Sequence, residues 1–510
     1  MVNAKQEACS ETGTTALITN AQAIAVVAQA VESTLGPKGL DTMLLDRFGD
    51  VIITNDGITI LKMMDVEHPA AQMLINLAAA QQREIGDGTT TATLLAGTLV
   101  SEGVKQIRKG VPIIKVIAGI VAGIEKACQI LQEKAISLTT EQESLLFDTA
   151  QIAARGNADI ANLICKAFSF FDSKTLAEPT FKLTEHVQAV KGAGNQVVSG
   201  VIINKLPLNE EMPRSLKNAK VLIIDDTLAP EEIVGDALHT EIGFQEQLKL
   251  EKLFRENLDK IISLGVNLVI VDRGITELAE EVFTTAGMLV LQRVSHKEWR
   301  RAAKFAGARA LKKTALNQPA NILNQYLGVV AQVQVVEELK QVYLMGGQGK
   351  PQATILVAAA TEEVVAERER IAKDAAAALQ AALKGGVVPG GGVTELAVAR
   401  ELQKYRQEVS GMAVYGWDCV CQALQKPFMQ IVANAGFNAL EKLGEVNAAQ
   451  LNTGKSSLGI DCESGEIVDL ASLGIYDPLL VKIKALQTAS EVATAILRID
   501  TIIKKKENEG

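Results

Sequence analysis

Aromatic side chains are scarce. Phe, Trp and Tyr make up only 4% of the 510 residues, so a core must be built mostly from Ala, Val, Ile and Leu within a hydrophobic content of 48%. Alanine favours helix and leaves room for helices to approach closely. Cysteine is sparse as well: Cys9, Cys128, Cys165, Cys419, Cys421 and Cys462 are widely spaced, and the only close pair is C-x-C. That spacing is neither a zinc knuckle nor a thioredoxin-like motif, and it suggests no disulfide framework, which fits a reducing compartment. The histidines His68, His186, His239 and His296 are dispersed along the chain, which argues against a transition-metal site. A long apolar run is missing too. The most apolar helix candidate, residues 116–124, is bounded by Lys115 and Glu125 and is too short to span a bilayer. Residues 1–15 are polar, without a basic stretch followed by an apolar one, so no signal peptide is expected. Finally, basic charge is not in excess: the net charge is −9, which argues against nucleic acid as the main partner. The expectation is a cytoplasmic protein that engages neither membrane nor nucleic acid.

What is present is more than one ordinary core can hold, and about two to four domains are expected at this length. Residues 16–133 read as long Ala/Val/Ile helices broken by glycine loops, with residues 70–85 and 93–109 at helical spacing. A short β-like segment, residues 51–54, leads into Asn55-Asp56-Gly57. Near residue 140 the register changes, with Thr140 a candidate N-cap and Glu143 its capping-box partner. The middle third alternates strand-like runs (197–203, 221–226, 268–272, 289–291) with helical patterns, the mark of an α/β domain. Helix then returns through residues 362–384 to the C-terminal part. A discontinuous helical outer domain with a nested inner domain is the economical explanation.

The densest chemistry lies in Gly86-Asp87-Gly88-Thr89-Thr90-Thr91, followed by an apolar helical run. Glycines let backbone N–H groups approach an anion without a Cβ in the way. Threonines at a helix start add hydroxyl donors to the unbonded N–H groups and the positive end of the dipole. An aspartate in such a place repels phosphate unless a divalent cation lies between, and Mg²⁺ is the usual bridge. The same residues also suit a plain capped helix start after a glycine turn. Three further glycine-punctuated turns accompany this one: Thr34-Leu35-Gly36-Pro37-Lys38-Gly39, Thr54-Asn55-Asp56-Gly57, and Gly385-Gly386-Val387-Val388-Pro389-Gly390-Gly391-Gly392. Each alone reads equally as a turn, and Asp56 equally as an Asx-turn. Two apparent phosphate loops fail: Gly454-Lys455-Ser456 has Ala449 where the first glycine belongs, and Gly349-Lys350 is followed by Pro351.

In this order, together with Val66-Glu67-His68-Pro69-Ala70-Ala71 and Gly474-Ile475-Tyr476-Asp477-Pro478, these segments resemble the nucleotide site of the chaperonins over essentially the whole chain. The resemblance implies a multidomain α and α/β fold. It has a mostly helical equatorial domain (residues 1–138 and 389–510), a small intermediate α/β domain (139–195 and 350–388) and an apical α/β domain (196–349) with a helical protrusion. It implies ATP and Mg²⁺ as cofactors, with Asp87 at the metal and Thr89, Thr90 and Thr91 at the phosphates beside Gly86 and Gly88. Thr34, Leu35, Gly36, Pro37, Asn55 and Gly391 would line the nucleotide, Asp477 would meet the ribose, and Asp461 with Cys462 would border the adenine. Lys38 adds charge or faces solvent. Asp56 and Asp374 would converge on the attacking water. An acidic residue within a helix, as Asp374 is, would otherwise read as a solvated position.

The segments 67–71 and 212–220 look like the group II chaperonins, and so does the long insertion at about 228–262, whose apolar residues suggest a built-in lid. Three places depart from that pattern: residues 191–195 are shorter than the expected loop, and 358–362 and 387–389 look more like group I, so the chain resembles the divergent bacterial branch called group III. The function implied is an ATPase chaperone that encloses unfolded polypeptides in a stacked double ring. The ring would be a homo-oligomer of about eight subunits, with no separate lid protein. Glycines 192, 194, 346, 347 and 349 would serve as hinges. Two other classes compete: a chaperonin-like scaffold or holdase with weak ATPase, and a non-chaperone nucleotide enzyme. The enzyme would need a second concentration of reactive groups in the middle domain, where only Asp225, Asp226, Asp272 and Arg273 stand at strand ends.

Overall fold

The computed structural model describes residues 10–45, 51–139, 141–231 and 241–503. The chain divides into two compact units: Met1–Cys165 with Leu176–Thr184 and Arg370–Gly510, and Lys166–Thr175 with Glu185–Glu369.

The first unit is a bundle of long helices, among them Thr14–Glu32, Pro69–Glu84, Thr89–Arg108, Ile113–Glu133, Val414–Asn434 and Leu479–Leu497. Their apolar faces share one core containing Leu74, Leu95, Leu99, Ile120, Leu131 and Ala489. Small residues set the spacing. Gly119 and Gly416 let Ile113–Glu133 and Val414–Asn434 touch backbone to backbone, since a Cβ at Gly119 would strike the Ala413 carbonyl oxygen and one at Gly416 the Val116 oxygen. This is the packing an aromatic-poor, alanine-rich composition allows. Two pairings were not evident from the sequence. Ser10–Thr12 runs antiparallel to Thr501–Ile503, joining segments far apart in the chain. The β-like segment Val51–Thr54 pairs with Thr42–Leu45 in a hairpin, on and beside which Leu40, Met43, Leu45, Val51 and Ile53 are exposed.

The second unit holds a six-stranded sheet in the order Gly200–Ile203, Gln341–Gly347, Gly328–Val336, Ser215–Ile224, Leu268–Val271, Leu289–Leu291. The last three strands are parallel and the remaining pairings antiparallel. Strands covered on both faces read as unbroken apolar runs, which is why Leu268–Val271 and Leu289–Leu291 were legible. Trp299 and Phe305 of the helix His296–Ala306 pack on one face. Phe254, Leu258, Ile261 and Phe283 pack on the other. The expected single strand at 197–203 is in fact two. Gln196–Val198 joins Thr354–Ala359 and Val187–Lys191 in a three-stranded sheet, whereas Gly200–Ile203 joins the larger one.

The expected lid segment also needs correction. Ile233, Val234 and Leu238 lie outside the described residues, as does Thr140, the expected N-cap. The helix Glu241–Ser263 exposes Leu248 and Leu253, but Leu228, Phe254, Leu258 and Ile261 are buried in the α/β core. Of the described residues, the helix stretch around Leu248 and Leu253 is open to serve as an excursion, and from Phe254 on it is an ordinary sheet-covering helix. Gly347 and Gly349, expected as hinges, are required by packing, because a Cβ at either would strike the carbonyl oxygens of Phe305 and Lys304. Among the described residues no helix is long and apolar enough to cross a membrane.

Candidate functional site

The carboxylates singled out in the sequence meet in the helical unit. Gly86 and Gly88 both have positive φ, 85° and 78°, so the chain doubles back at Asp87. Gly88 is the N-cap of Thr89–Arg108, which puts Thr89, Thr90 and Thr91 in the first turn, where backbone N–H groups lack helical partners. Asp87 Oδ1 accepts from Gly88 N at 2.6 Å, and the buried Gln81 side chain donates to the Asp87 carbonyl at 2.9 Å. The turn therefore stands on a fixed base. It also touches two other elements: a Cβ at Gly86 would lie 2.7 Å from Ala377 Cβ, and one at Gly88 2.5 Å from Val481 Cγ1. A Cβ at Gly57 would sit 2.5 Å from Thr90 Oγ1, which brings the 54–57 loop against the same helix start.

Asp56 caps the helix Gly57–Met63, with Oδ2 accepting from Thr59 N at 3.2 Å and from Thr59 Oγ1 at 2.6 Å. Its other oxygen lies 3.7 Å from Arg370 Nη1. The same Nη1 donates to Asp374 Oδ2 at 3.0 Å, and Arg370 Nη2 donates to Asn55 Oδ1 at 3.5 Å. One guanidinium thus gathers Asn55, Asp56 and Asp374. Capping and gathering are compatible, because they use different oxygens of Asp56.

Charge is not balanced here. Burial pushes the Asp374 carboxyl well above the usual carboxylate range; Arg370 and Arg155 pull it down, while Asp87 and Asp56 push it further up. Asp87 is likewise raised, first by burial, against the pull of the Gly88 N–H, with Asp477 adding and Arg155 and Lys482 opposing. Two desolvated carboxylates short of positive charge, beside hydroxyls and free helix N–H groups, form an all-oxygen donor set. That is the chemistry a hard dication fits, since it relieves both the repulsion and the desolvation.

The remaining expected residues lie in the same unit. Thr34 Oγ1 donates to Val31 O at 2.8 Å, Leu35 O accepts from Asn434 Nδ2 at 2.8 Å, and Gly36 has φ 88° ahead of Pro37. Lys38 is paired with Glu463, which ties this turn to the hairpin Leu458–Ile460/Ile467–Asp469. Asp461 spends its oxygens on that hairpin's own turn, accepting from Glu463 N at 2.9 Å and Ser464 Oγ at 3.1 Å, which lowers its pKa. Cys462 stands next to it, with burial holding its thiol above the usual range. Gly391, φ 66°, lies in the turn from Val387–Pro389 into Val393–Tyr405. Asp477 stands opposite Val388 across the strand pair with Tyr476–Pro478, and its Oδ2 lies 2.7 Å from Lys482 Nζ.

Sequence reasoning missed Arg370, Arg155, Lys482, Glu395 and Gln81. Arg370 carried a readable signal, since it stands four residues before Asp374 on one helix. Gln81 and Lys482 also stand near the residues they serve, six before Asp87 and five after Asp477, but neither type nor spacing singled them out, and Arg155 and Glu395 act on residues far away in the chain.

In the second unit, Asp225, Asp272 and His296 bring ligand atoms within 4.8 Å of one another. Asp225 lies 3.1 Å from Lys312 Nζ, and Asp272 accepts from Trp299 Nε1 at 3.0 Å. This grouping is partly exposed and already supplied with a cation and a donor.

Comparison with known proteins bears on the whole chain. Residues 27–507 match the model of the TCP-1/cpn60 chaperonin family. A thermosome subunit beta of Archaeoglobus fulgidus is 35% identical over 508 residues, covering 96% of this chain and 91% of that protein. A thermosome subunit of Methanopyrus kandleri is 34% identical over 510 residues, with coverage of 96% and 92%. The crystal structure of a group III chaperonin in the open state superimposes with a TM-score of 0.86 at 45% identity, over 96% of this chain and 99% of that one.

Proposed function

This chain belongs to the TCP-1/cpn60 chaperonin family and is an ATP-dependent chaperonin, and on that premise we propose how its residues bind and hydrolyse ATP. The observation that carries the proposal is the single Arg370 guanidinium holding both Asp56 and Asp374, on the helix against which the Asp87 turn packs. Asp87 holds Mg²⁺, with Thr89, Thr90, Thr91 and the N–H groups of that helix start receiving the phosphates of ATP. The ion supplies neutralising charge on the phosphates and is fitted by the oxygen-only donor set. Asp374 and Asp56 orient the attacking water and accept its proton. Burial raises the pKa of Asp374, which makes it a stronger proton acceptor than an ordinary carboxylate. Thr34 to Pro37 and Asn55 line the nucleotide, Gly391 lies along it, Asp477 meets the ribose, and Asp461 and Cys462 border the base.

The expected test is a split between binding and turnover. Asp374→Ala keeps ATP affinity and loses roughly a hundredfold or more in single-turnover hydrolysis, because the carboxylate acts on the water and holds little of the ground state. Wild-type turnover in a folded Asp374→Ala protein would overturn the assignment.

The wider organisation follows the same reading. Residues 1–138 and 389–510 are equatorial, 139–195 and 350–388 intermediate, and 196–349 apical. The protein acts in the cytoplasm as a homo-oligomeric double ring around unfolded polypeptides. The apolar hairpin at Met43, Leu45, Val51 and Ile53 supports a contact between subunits. Exposed Leu248 and Leu253 support a lid built from the chain's own protrusion. Deleting residues 231–247, which spares Phe254, is expected to leave ATPase and ring assembly intact and to expose a bound client to protease. A client still shielded without any added cap protein would refute the built-in lid.

A further inference from the structure

A charge cluster is buried behind the strand pair Val387–Pro389/Tyr476–Pro478. The Lys482 side chain is 7% exposed, and its Nζ lies 2.6 Å from Glu395 Oε1 and 2.7 Å from Asp477 Oδ2. Glu395, 4% exposed, sits in the first turn of Val393–Tyr405, and its second oxygen, Oε2, is buried with no hydrogen-bond partner. Asp477 is the one member that reaches the surface, at 30%. Its Oδ1 faces the glycine turn, where a Cβ at Gly390 would lie 2.9 Å away.

Stability alone does not call for this arrangement. Burying two carboxylates and one ammonium costs desolvation that a well-packed apolar trio of equal volume would avoid. What the ions achieve is orientation. Lys482 grips one oxygen of Asp477, so the other can point only toward the turn that carries Gly390 and Gly391. Glu395 anchors the lysine from behind, assisted by the positive end of its own helix. Burial opposes charge on Lys482, yet Asp477 and Glu395 outweigh it and hold the ammonium protonated. The cluster also feels the phosphate turn: Asp477 raises the pKa of Asp87 and Lys482 lowers it.

We propose that Lys482, anchored by Glu395, is a positioning residue that fixes the Asp477 carboxylate in the one orientation able to accept hydrogen bonds from the ribose hydroxyls of the bound nucleotide. This rests on the reading of Asp477 as the ribose contact, and the test separates the two.

ATPase rates are measured with ATP and with its 2′-deoxy and 3′-deoxy analogues. The wild type is expected to show KM raised about tenfold for at least one analogue, the scale of one lost hydrogen bond to a charged acceptor. Asp477→Ala brings that ratio close to one. Lys482→Met does the same, with KM for ATP changing more than kcat. The double variant Lys482→Met/Asp477→Ala loses nothing further, because both changes remove one contact. A Lys482→Met protein with a lowered Tm but a wild-type ribose ratio overturns the positioning role and leaves the ribose reading standing. No ribose discrimination in the wild type, or an unchanged ratio in Asp477→Ala, overturns both. Should Lys482→Met not fold, Lys482→Gln keeps a neutral donor, and an intermediate ratio is expected; an unchanged one overturns the proposal.

Discussion

Two groups of acidic side chains are brought together in this molecule, one in each unit, and they are built differently. Asp56, Asp87 and Asp374 converge from a loop, a helix start and a helix interior, and the last two are desolvated with too little positive charge around them. Asp225 and Asp272 follow neighbouring parallel strands, stay partly exposed, and are met by Lys312 and by the Trp299 indole N–H. Close approach of donor atoms, within 4.8 Å of one another, marks the second group. The difference is burial: in the first group desolvation is the leading cause that raises Asp87 and Asp374, whereas the second group stays partly exposed. Clustering of ligand-type residues thus carries less functional weight than unrelieved desolvation.

The comparison breaks most visibly at Asp87. Asp87→Ala is expected to lose magnesium-dependent nucleotide binding by at least roughly tenfold in calorimetric titration, along with turnover. If the residue were only part of a helix start, the change would cost about 1 kcal/mol of stability and leave binding intact.

A smaller effect comes from the burial itself. The folded-state pKa of Asp374 lies above its unfolded value, so the folded state binds the proton more tightly. Stability of the nucleotide-free protein should therefore be fully present below the ordinary carboxylate pKa and fall as pH rises through the raised one. Asp374→Asn removes the buried charge, so it is expected to raise Tm near neutral pH and to flatten that part of the pH profile. A Tm profile identical to wild type would mean that Asp374 is solvated after all.

The smallest effect belongs to the second group. Asp272→Asn and His296→Ala are expected to leave ATPase unchanged and to alter stability by no more than about 0.5 kcal/mol, as partly exposed positions usually do. A zinc- or manganese-induced rise in Tm that disappears in His296→Ala would erase the distinction drawn between the two groups.

Much of this was legible in the chain. The Gly-Asp-Gly-Thr-Thr-Thr turn could be read because its meaning is local: glycine dihedrals, a helix start and hydroxyls are set by adjacent residues. Strands buried on both faces, such as Leu289–Leu291, announced themselves as apolar runs. The supporting charges were another matter. Lys482 sits in a helix where a lysine ordinarily reaches solvent, and its partner Glu395 is 87 residues away. Arg155 bears on Asp87 and Asp374 only through the fold. The break between Val198 and Gly200 escaped notice because both halves are apolar and extended; only their hydrogen-bond partners differ. Phe254 was misjudged for a similar reason, since a phenylalanine on an amphipathic helix reads alike whether it covers a sheet or a partner.

The pairing of Ser10–Thr12 with Thr501–Ile503 has a consequence for biosynthesis. Residues 185–369 all belong to the second unit and can begin to collapse as soon as they leave the ribosome. The helices within Met1–Cys165 cannot complete their core until residues from Arg370 onward have been made. At the ribosome's elongation rate of about 5–20 residues per second, that interval is on the order of ten seconds or more. During it, the apolar faces of the first helices have no native partner to cover them, which makes the nascent subunit of a folding machine itself a candidate client for one.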